Sequence, residues 1–231
     1  MIHFPNNISA QAVIFDFDGV IVDTEPLHYK AFQLLLAPLG LDFSWDEYME
    51  TYMGFDDRDA FKEAHRRNDI PLSSDTLAAM VSEKAKLFLE IIGSGVAPYP
   101  GVVELIKKLR ESGMPLAICS GALLSDIKPI LEMLGISDCF DCIITADNVQ
   151  QSKPDPACYI LAFHQLAQMF GKPSLQPGTC IAIEDTPAGI ASAKGADLQV
   201  IAVTNSYPRE SLSAADDIVT SLELLLGFTT A

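Results

Sequence analysis

Ala12-Val13-Ile14-Phe15 is an apolar run rich in β-branched and aromatic residues. Two aspartates, Asp16 and Asp18, follow it one residue apart, with Gly19 directly behind them. The run reads as a short buried strand. Alternate side chains of a strand share a face, so both carboxylates can point to one spot. At about 4 Å and an effective dielectric near 20, two such charges repel by roughly 4 kcal/mol. A cation between them, a shared proton or a phosphoryl group would relieve that repulsion. An Asp-Gly turn after a strand is common, but a turn does not account for an acid directly after four apolar residues. The carboxyl end of a strand in an open α/β sheet is also where ligands bind.

The rest of the chain supplies such a sheet. Leu116 to Cys119, Cys142 to Thr145, Thr179 to Ile183 and Val200 to Val203 read as further strands. Helical patterns separate them at Val102 to Glu111, Leu123 to Leu134, Pro156 to Phe170 and Pro187 to Lys194, with Gly113, Gly135, Gly171 and Gly195 as stops. Repeated strand–helix–strand units imply a parallel sheet covered on both faces. Between Thr24 and Ile92 the pattern is helical only: Pro26 to Leu39 with Thr24 as N-cap, Trp45 to Tyr52, Asp57 to Arg67, and an amphipathic Ser74 to Ile92. Gly93-Ser94-Gly95 and Pro98-Tyr99-Pro100-Gly101 read as the return linker. The expected division is an α/β core, residues 1–23 and 96–231, with an inserted all-helical domain, residues 24–95.

Charge narrows the partners. A formal net charge of −16 disfavours nucleic acid and anionic membranes. It also requires a pocket for an anionic substrate to gather its few cations locally or to use a metal. The N-terminal stretch has no basic region or long apolar segment, so no signal peptide is expected. No uninterrupted apolar run reaches the length of a membrane span. Of five cysteines, Cys119, Cys158 and Cys180 look like small core residues. Cys139 and Cys142 form a CxxC pair with neither a second pair nor nearby histidines to suggest zinc. A reducing cytoplasm is the simplest reading.

Polar residues recur at the strand ends. Ser120-Gly121 follows the second core strand, where a hydroxyl ahead of a helix N-terminus can hold phosphate oxygens. Lys153 is the one cation in the stiff loop Ser152-Lys153-Pro154-Asp155-Pro156. Glu184-Asp185 follows the fourth strand. Each loop alone could be structural, and a solvated surface position is the default for lysine. Together the acids form an oxygen-rich set suited to Mg²⁺.

The stretch Asp16, Asp18, Gly19, Asp23 resembles the DxDGxxxD signature of the haloacid dehalogenase-like hydrolases. The continuation Thr24 to His28 is similar to the branch containing β-phosphoglucomutase and sugar-phosphate phosphatases. Ser120, Lys153 and Glu184-Asp185 match the remaining family motifs in order, so the resemblance spans nearly the whole chain. It implies a Rossmann-like doubly wound parallel sheet with a helical cap. It implies that Asp16 is a nucleophile forming an aspartyl-phosphate, and that Asp18 is the general acid and base. Ser120 and the Gly121 amide would hold phosphoryl oxygens, and Lys153 would neutralise charge. Asp16, the Asp18 carbonyl and Asp185 would bind Mg²⁺, with Glu184 an outer acid or occasional ligand.

The cap residues divide the readings. His28 matches a histidine of the mutase branch and could equally be a packed helix residue. Gly54 and Arg58 lie in a stretch that resembles the mutase cap loop, but Asp57 stands where mutases carry the phosphate-gripping arginine. The expected function is a Mg²⁺-dependent phosphatase acting on a small phosphorylated metabolite, with a sugar phosphate favoured. A hexose-phosphate mutase is the alternative. A non-catalytic phosphoacceptor module would need neither Asp18 nor a cap of this size. The sequence leaves the exact substrate and the oligomeric state open; a cap that opens and closes needs no partner subunit.

Overall fold

The computed structural model describes residues 1–5, 8–53, 55–93, 95–171 and 175–230. Gly54, Ser94 and Pro173 lie outside the described residues. The chain divides into two compact units, Met1–Asp23 with Ala97–Ala231, and Thr24–Val96.

The first unit is built on six parallel strands: β1 (Ala12–Phe15), β2 (Leu116–Cys119), β3 (Cys142–Ile144), β4 (Cys180–Glu184), β5 (Gln199–Val203) and β6 (Asp217–Val219). Their order is β3-β2-β1-β4-β5-β6. The apolar strand at the head of the sequence is therefore central, with Phe15 in register with Ile118 on one side and Ile183 on the other. Every residue of β1, β2 and β4 is buried. That is why these strands read as continuous apolar runs rather than as alternating ones.

Strand alternation still decides which residue meets which helix. Ala12, Ile14, Ala117, Cys119, Cys180 and Ala182 share a core with Cys158, Tyr159, Ala162 and Leu166. Those four lie on α6 (Ala157–Phe170). On the same face, Ile190 and Ala193 come from α7 (Pro187–Gly195). Asp16 and Glu184 continue the parity of Ile14 and Ala182, so both acids fall on the α6 side.

The sequence pattern missed two parts of this unit. Strand β6 is three residues long, too short for a periodic signal. Ile2–His3, Ser9–Ala10 and Thr229–Thr230 form a separate antiparallel sheet of two-residue strands. Cys119 and Cys158 are buried, as core cysteines should be, but the fold pairs them. Their sulfurs are joined across β2 and α6, with the Cα atoms 5.9 Å apart. Cys139, Cys142 and Cys180 are free. Burial pushes the thiols of Cys142 and Cys180 up to about 12, which keeps them protonated.

Among its described residues the regular elements of the second unit are all helical: α1 (Glu25–Leu36), α2 (Asp57–Arg67) and α3 (Ser74–Ile92), plus shorter helical turns. Asp56 and Ser73 cap α2 and α3 by accepting from Asp59 N and Thr76 N. Thr24 holds the N-cap position of α1, but its side chain makes no capping hydrogen bond. The core is aromatic, with Phe32, Phe43, Tyr48, Tyr52 and Phe61 at its centre. The expected helix Trp45 to Tyr52 starts as one α turn and widens into a π turn over Tyr48–Tyr52. The tertiary packing gives the reason. Tyr48 and Tyr52 both stack on Phe43, with ring centroids at 6.1 and 4.0 Å.

Candidate active site

Parallel register brings the carboxyl ends of β1, β2 and β4 to one edge of the sheet. Asp16 donates its backbone N–H to Ile183 O at 2.9 Å, which extends the β1–β4 pairing as far as this acid. The chain then turns sharply, with Gly19 N bonding Val22 O at 2.9 Å. Gly19 has φ +77°, and a Cβ there would overlap the Asp185 carboxylate. The glycine is required by both backbone conformation and space.

Lys153 reaches into this cluster from its loop. Its Nζ lies 2.9 Å from Asp16 Oδ1 and donates to Glu184 Oε1 at 2.6 Å and Cys119 O at 3.2 Å. An ammonium has three donors, and here each has an acceptor. Glu184 is fully buried. Its Oε1 also accepts from Tyr159 Oη at 2.6 Å, and its Oε2 accepts from Asp185 N at 3.2 Å. Asp18 is half-buried, and its Oδ2 accepts from Ser120 Oγ at 3.3 Å. Ser120 Oγ in turn accepts from Ala122 N at 3.0 Å. Gly121 is half-buried, and nothing lies within 4 Å of where its Cβ would be.

Asp16, Glu184 and Asp185 each bring a carboxylate oxygen within 4.8 Å of the others, and all three are buried. Burial and the charge of Glu184 push the Asp16 carboxyl up to about 8, although Lys153 pulls the other way. Burial also opposes the charge on Lys153, but Asp16 and Glu184 outweigh it and raise the ammonium above its ordinary value. Lys153 thus pairs with two of the three buried acids. Hard oxygen donors carrying excess negative charge fit a divalent cation such as Mg²⁺.

Of the residues read from the sequence, the fold brings together Asp16, Asp18, Ser120, Lys153, Glu184 and Asp185. The sequence reading missed Tyr159, Asn205 and Ser206. Ser206 Oγ donates to Asp185 Oδ2, and Asn205 Nδ2 donates to Gly19 O at 2.7 Å. Both follow the apolar run of β5 and obey the same rule, polar groups at a strand end. Tyr159 gave no such signal because it lies inside a helix.

The helical unit holds its own polar cluster. Lys84 is fully buried, with Nζ 2.6 Å from His28 Nδ1 and 2.8 Å from Asp57 Oδ1. Its charge lies 5.1 Å from the ring centroids of Phe32 and of Phe88. Donation to Nδ1 leaves the His28 ring proton on Nε2. His28 also stacks on Phe88, with centroids at 4.2 Å. Arg58 folds back on Asp56, with Nη2 and Nε 2.6 and 3.1 Å from Oδ2.

A family model for the haloacid dehalogenase-like hydrolases matches residues 13–203, and the chain belongs to that family. Protein CbbY of Rhodobacter capsulatus is 35% identical over 215 residues, which cover 89% of this chain and 91% of the relative. A phosphorylated carbohydrates phosphatase of Thermotoga maritima is 28% identical over 83% of each chain. A mutant of CbbY from Rhodobacter sphaeroides, solved in complex with xylulose-(1,5)bisphosphate, superposes with a TM-score of 0.82. It is 26% identical, over 93% of this chain and 95% of the other. The class defined by this fold and site is thus an α/β hydrolase with its acids at the carboxyl edge of the sheet.

Proposed function

We propose that the protein is a Mg²⁺-dependent phosphatase that removes the phosphoryl group of a small sugar phosphate through an aspartyl-phosphate on Asp16. One observation carries the reading. Asp16 has one oxygen held by Lys153, and Asp18, two residues on, is hydrogen-bonded to Ser120. A carboxylate oxygen of Asp16 attacks phosphorus, and the ester P–O bond breaks. The leaving alkoxide takes the proton of Asp18. Asp18, now ionised, takes a proton from water, whose oxygen attacks phosphorus. The P–O bond to Asp16 then breaks, freeing inorganic phosphate and the Asp16 carboxylate. Splitting the reaction in this way replaces one hard step with two easier ones.

Lys153, Ser120 and the Gly121 amide neutralise and orient the phosphoryl oxygens. Asp16, Asp185 and the Asp18 carbonyl would hold Mg²⁺, which supplies positive charge against the repulsion between anionic nucleophile and anionic ester. The helical unit is the cap in this reading, with His28 its candidate substrate contact. The protein works in the cytoplasm on a small phosphorylated molecule, with neither nucleic acid nor membrane as partner. Engagement of Arg58 by Asp56 speaks against a mutase, which must grip a second phosphate.

The test is ³¹P NMR with Mg²⁺ and a panel that includes xylulose 1,5-bisphosphate and β-glucose 1-phosphate. Release of inorganic phosphate by the wild type, and none by D16N that still melts cooperatively, is the expected result. Conversion of β-glucose 1-phosphate to glucose 6-phosphate would replace the phosphatase with a mutase. Mg²⁺-dependent turnover by D16N would overturn the role of Asp16.

A further inference from the structure

Tyr159 belongs to none of the motifs read from the sequence, yet its hydroxyl reaches Glu184 in the site. It is fully buried in the first turn of α6 and donates to Glu184 Oε1 at 2.6 Å. Lys153 Nζ donates to the same oxygen at 2.6 Å and sits 5.1 Å from the Tyr159 ring centroid. A carboxylate oxygen that accepts from a neutral hydroxyl has part of its charge already offset. Its hold on a neighbouring ammonium is weakened accordingly. Without the hydroxyl, Glu184 would draw Lys153 away from Asp16, because both acids compete for one cation.

Resting on the phosphatase reading above, we infer that Tyr159 is a positioning residue: its hydroxyl shares the Lys153 ammonium between Glu184 and Asp16, and so keeps it at the nucleophile. Three further features fix the arrangement. A Cβ on Gly189 would overlap the Glu184 carboxylate, so α7 leaves room for that acid and no more. Thr186 Oγ1 and Asp185 N occupy Glu184 Oε2, which directs Oε1 toward Tyr159 and Lys153. Cys158, beside Tyr159, is joined to Cys119, whose carbonyl is the third acceptor for Lys153. Helix α6 thereby holds two of the three acceptors of Lys153.

The test is Y159F in the full chain, which removes the hydroxyl and keeps the ring beneath Lys153. With the ester that the wild type hydrolyses best, kcat should fall about 10- to 100-fold while KM changes less than about threefold. A purely structural role would lower melting temperature without this split. A second readout needs no turnover. Lysine-selective ¹H–¹⁵N spectra of EDTA-treated wild type should show a slowly exchanging Nζ resonance that is lost in K153R, and Y159F should shift or broaden it. An unchanged resonance in Y159F, or kcat within about twofold of wild type, would overturn the inference. So would the absence of any slowly exchanging Nζ resonance in the wild type. If the wild type hydrolyses no ester, the phosphatase reading fails and the spectra alone decide the role of Tyr159.

Discussion

Asp16 carries a linked prediction about protons and metal. Its carboxyl is raised to about 8 by burial and by Glu184, whereas in the unfolded chain it titrates near its ordinary value. Between roughly pH 4 and 8 the folded state therefore holds a proton that the unfolded state has released. More protons bound in the folded state means that stability falls as pH rises through this window. EDTA-treated wild type should melt lower at pH 8 than at pH 5.5, and D16N should show a flatter dependence. Mg²⁺ competes for the same oxygens, so adding it should raise the melting temperature more at pH 8 than at pH 5.5. An equal shift at both pH values would separate metal binding from Asp16. Gly189 makes a second prediction at this scale. Because a Cβ there overlaps a buried carboxylate, G189A should destabilise by about 1–3 kcal/mol. Thermal and urea melts of the variant would measure it.

Helix ends and helix cores supply the predictions about elements. Ser73 caps α3 through Thr76 N at 3.1 Å, and S73A should cost about 1 kcal/mol in a urea melt. Lys84, on the same helix, is a larger stake. Truncating it strands the Asp57 carboxylate, which is only 12% exposed. K84A should lose about 3–5 kcal/mol. Recovery of full stability in K84M would mean that the ammonium contributes less than the packing of its stem. The π turn at Tyr48–Tyr52 belongs to this scale as well. Periodicity alone reads those residues as ordinary helix, and only the stacking of Tyr48 and Tyr52 on Phe43 shows why the turn widens.

A net charge of −16 sets the field of the whole molecule. It repels an anionic ester in bulk water, and salt screens that repulsion within about 10 Å at 0.1 M. Raising ionic strength from 0.02 to 0.2 M at fixed free Mg²⁺ should therefore lower KM for a sugar phosphate by about twofold or more. A KM that rises instead would mean that the local charge of Lys153 dominates the approach of substrate.

The sequence by itself determined five of the six parallel strands and most of the candidate site. Short apolar runs such as Ala12–Phe15 and Cys180–Glu184 end in acids, and a buried strand that ends in acids is legible because burial and charge oppose each other within a few residues. The helical insertion was legible from its period. Tertiary structure alone decided three things. It placed Tyr159 on Glu184, it joined Cys119 to Cys158 across 39 residues, and it buried Lys84 between His28 and Asp57. In each case the partners come from different elements, and each partner alone has an ordinary place in its own helix or strand. Local pattern reports which face of an element is buried. Which side chains meet across that face depends on register and packing between elements, which no single segment encodes.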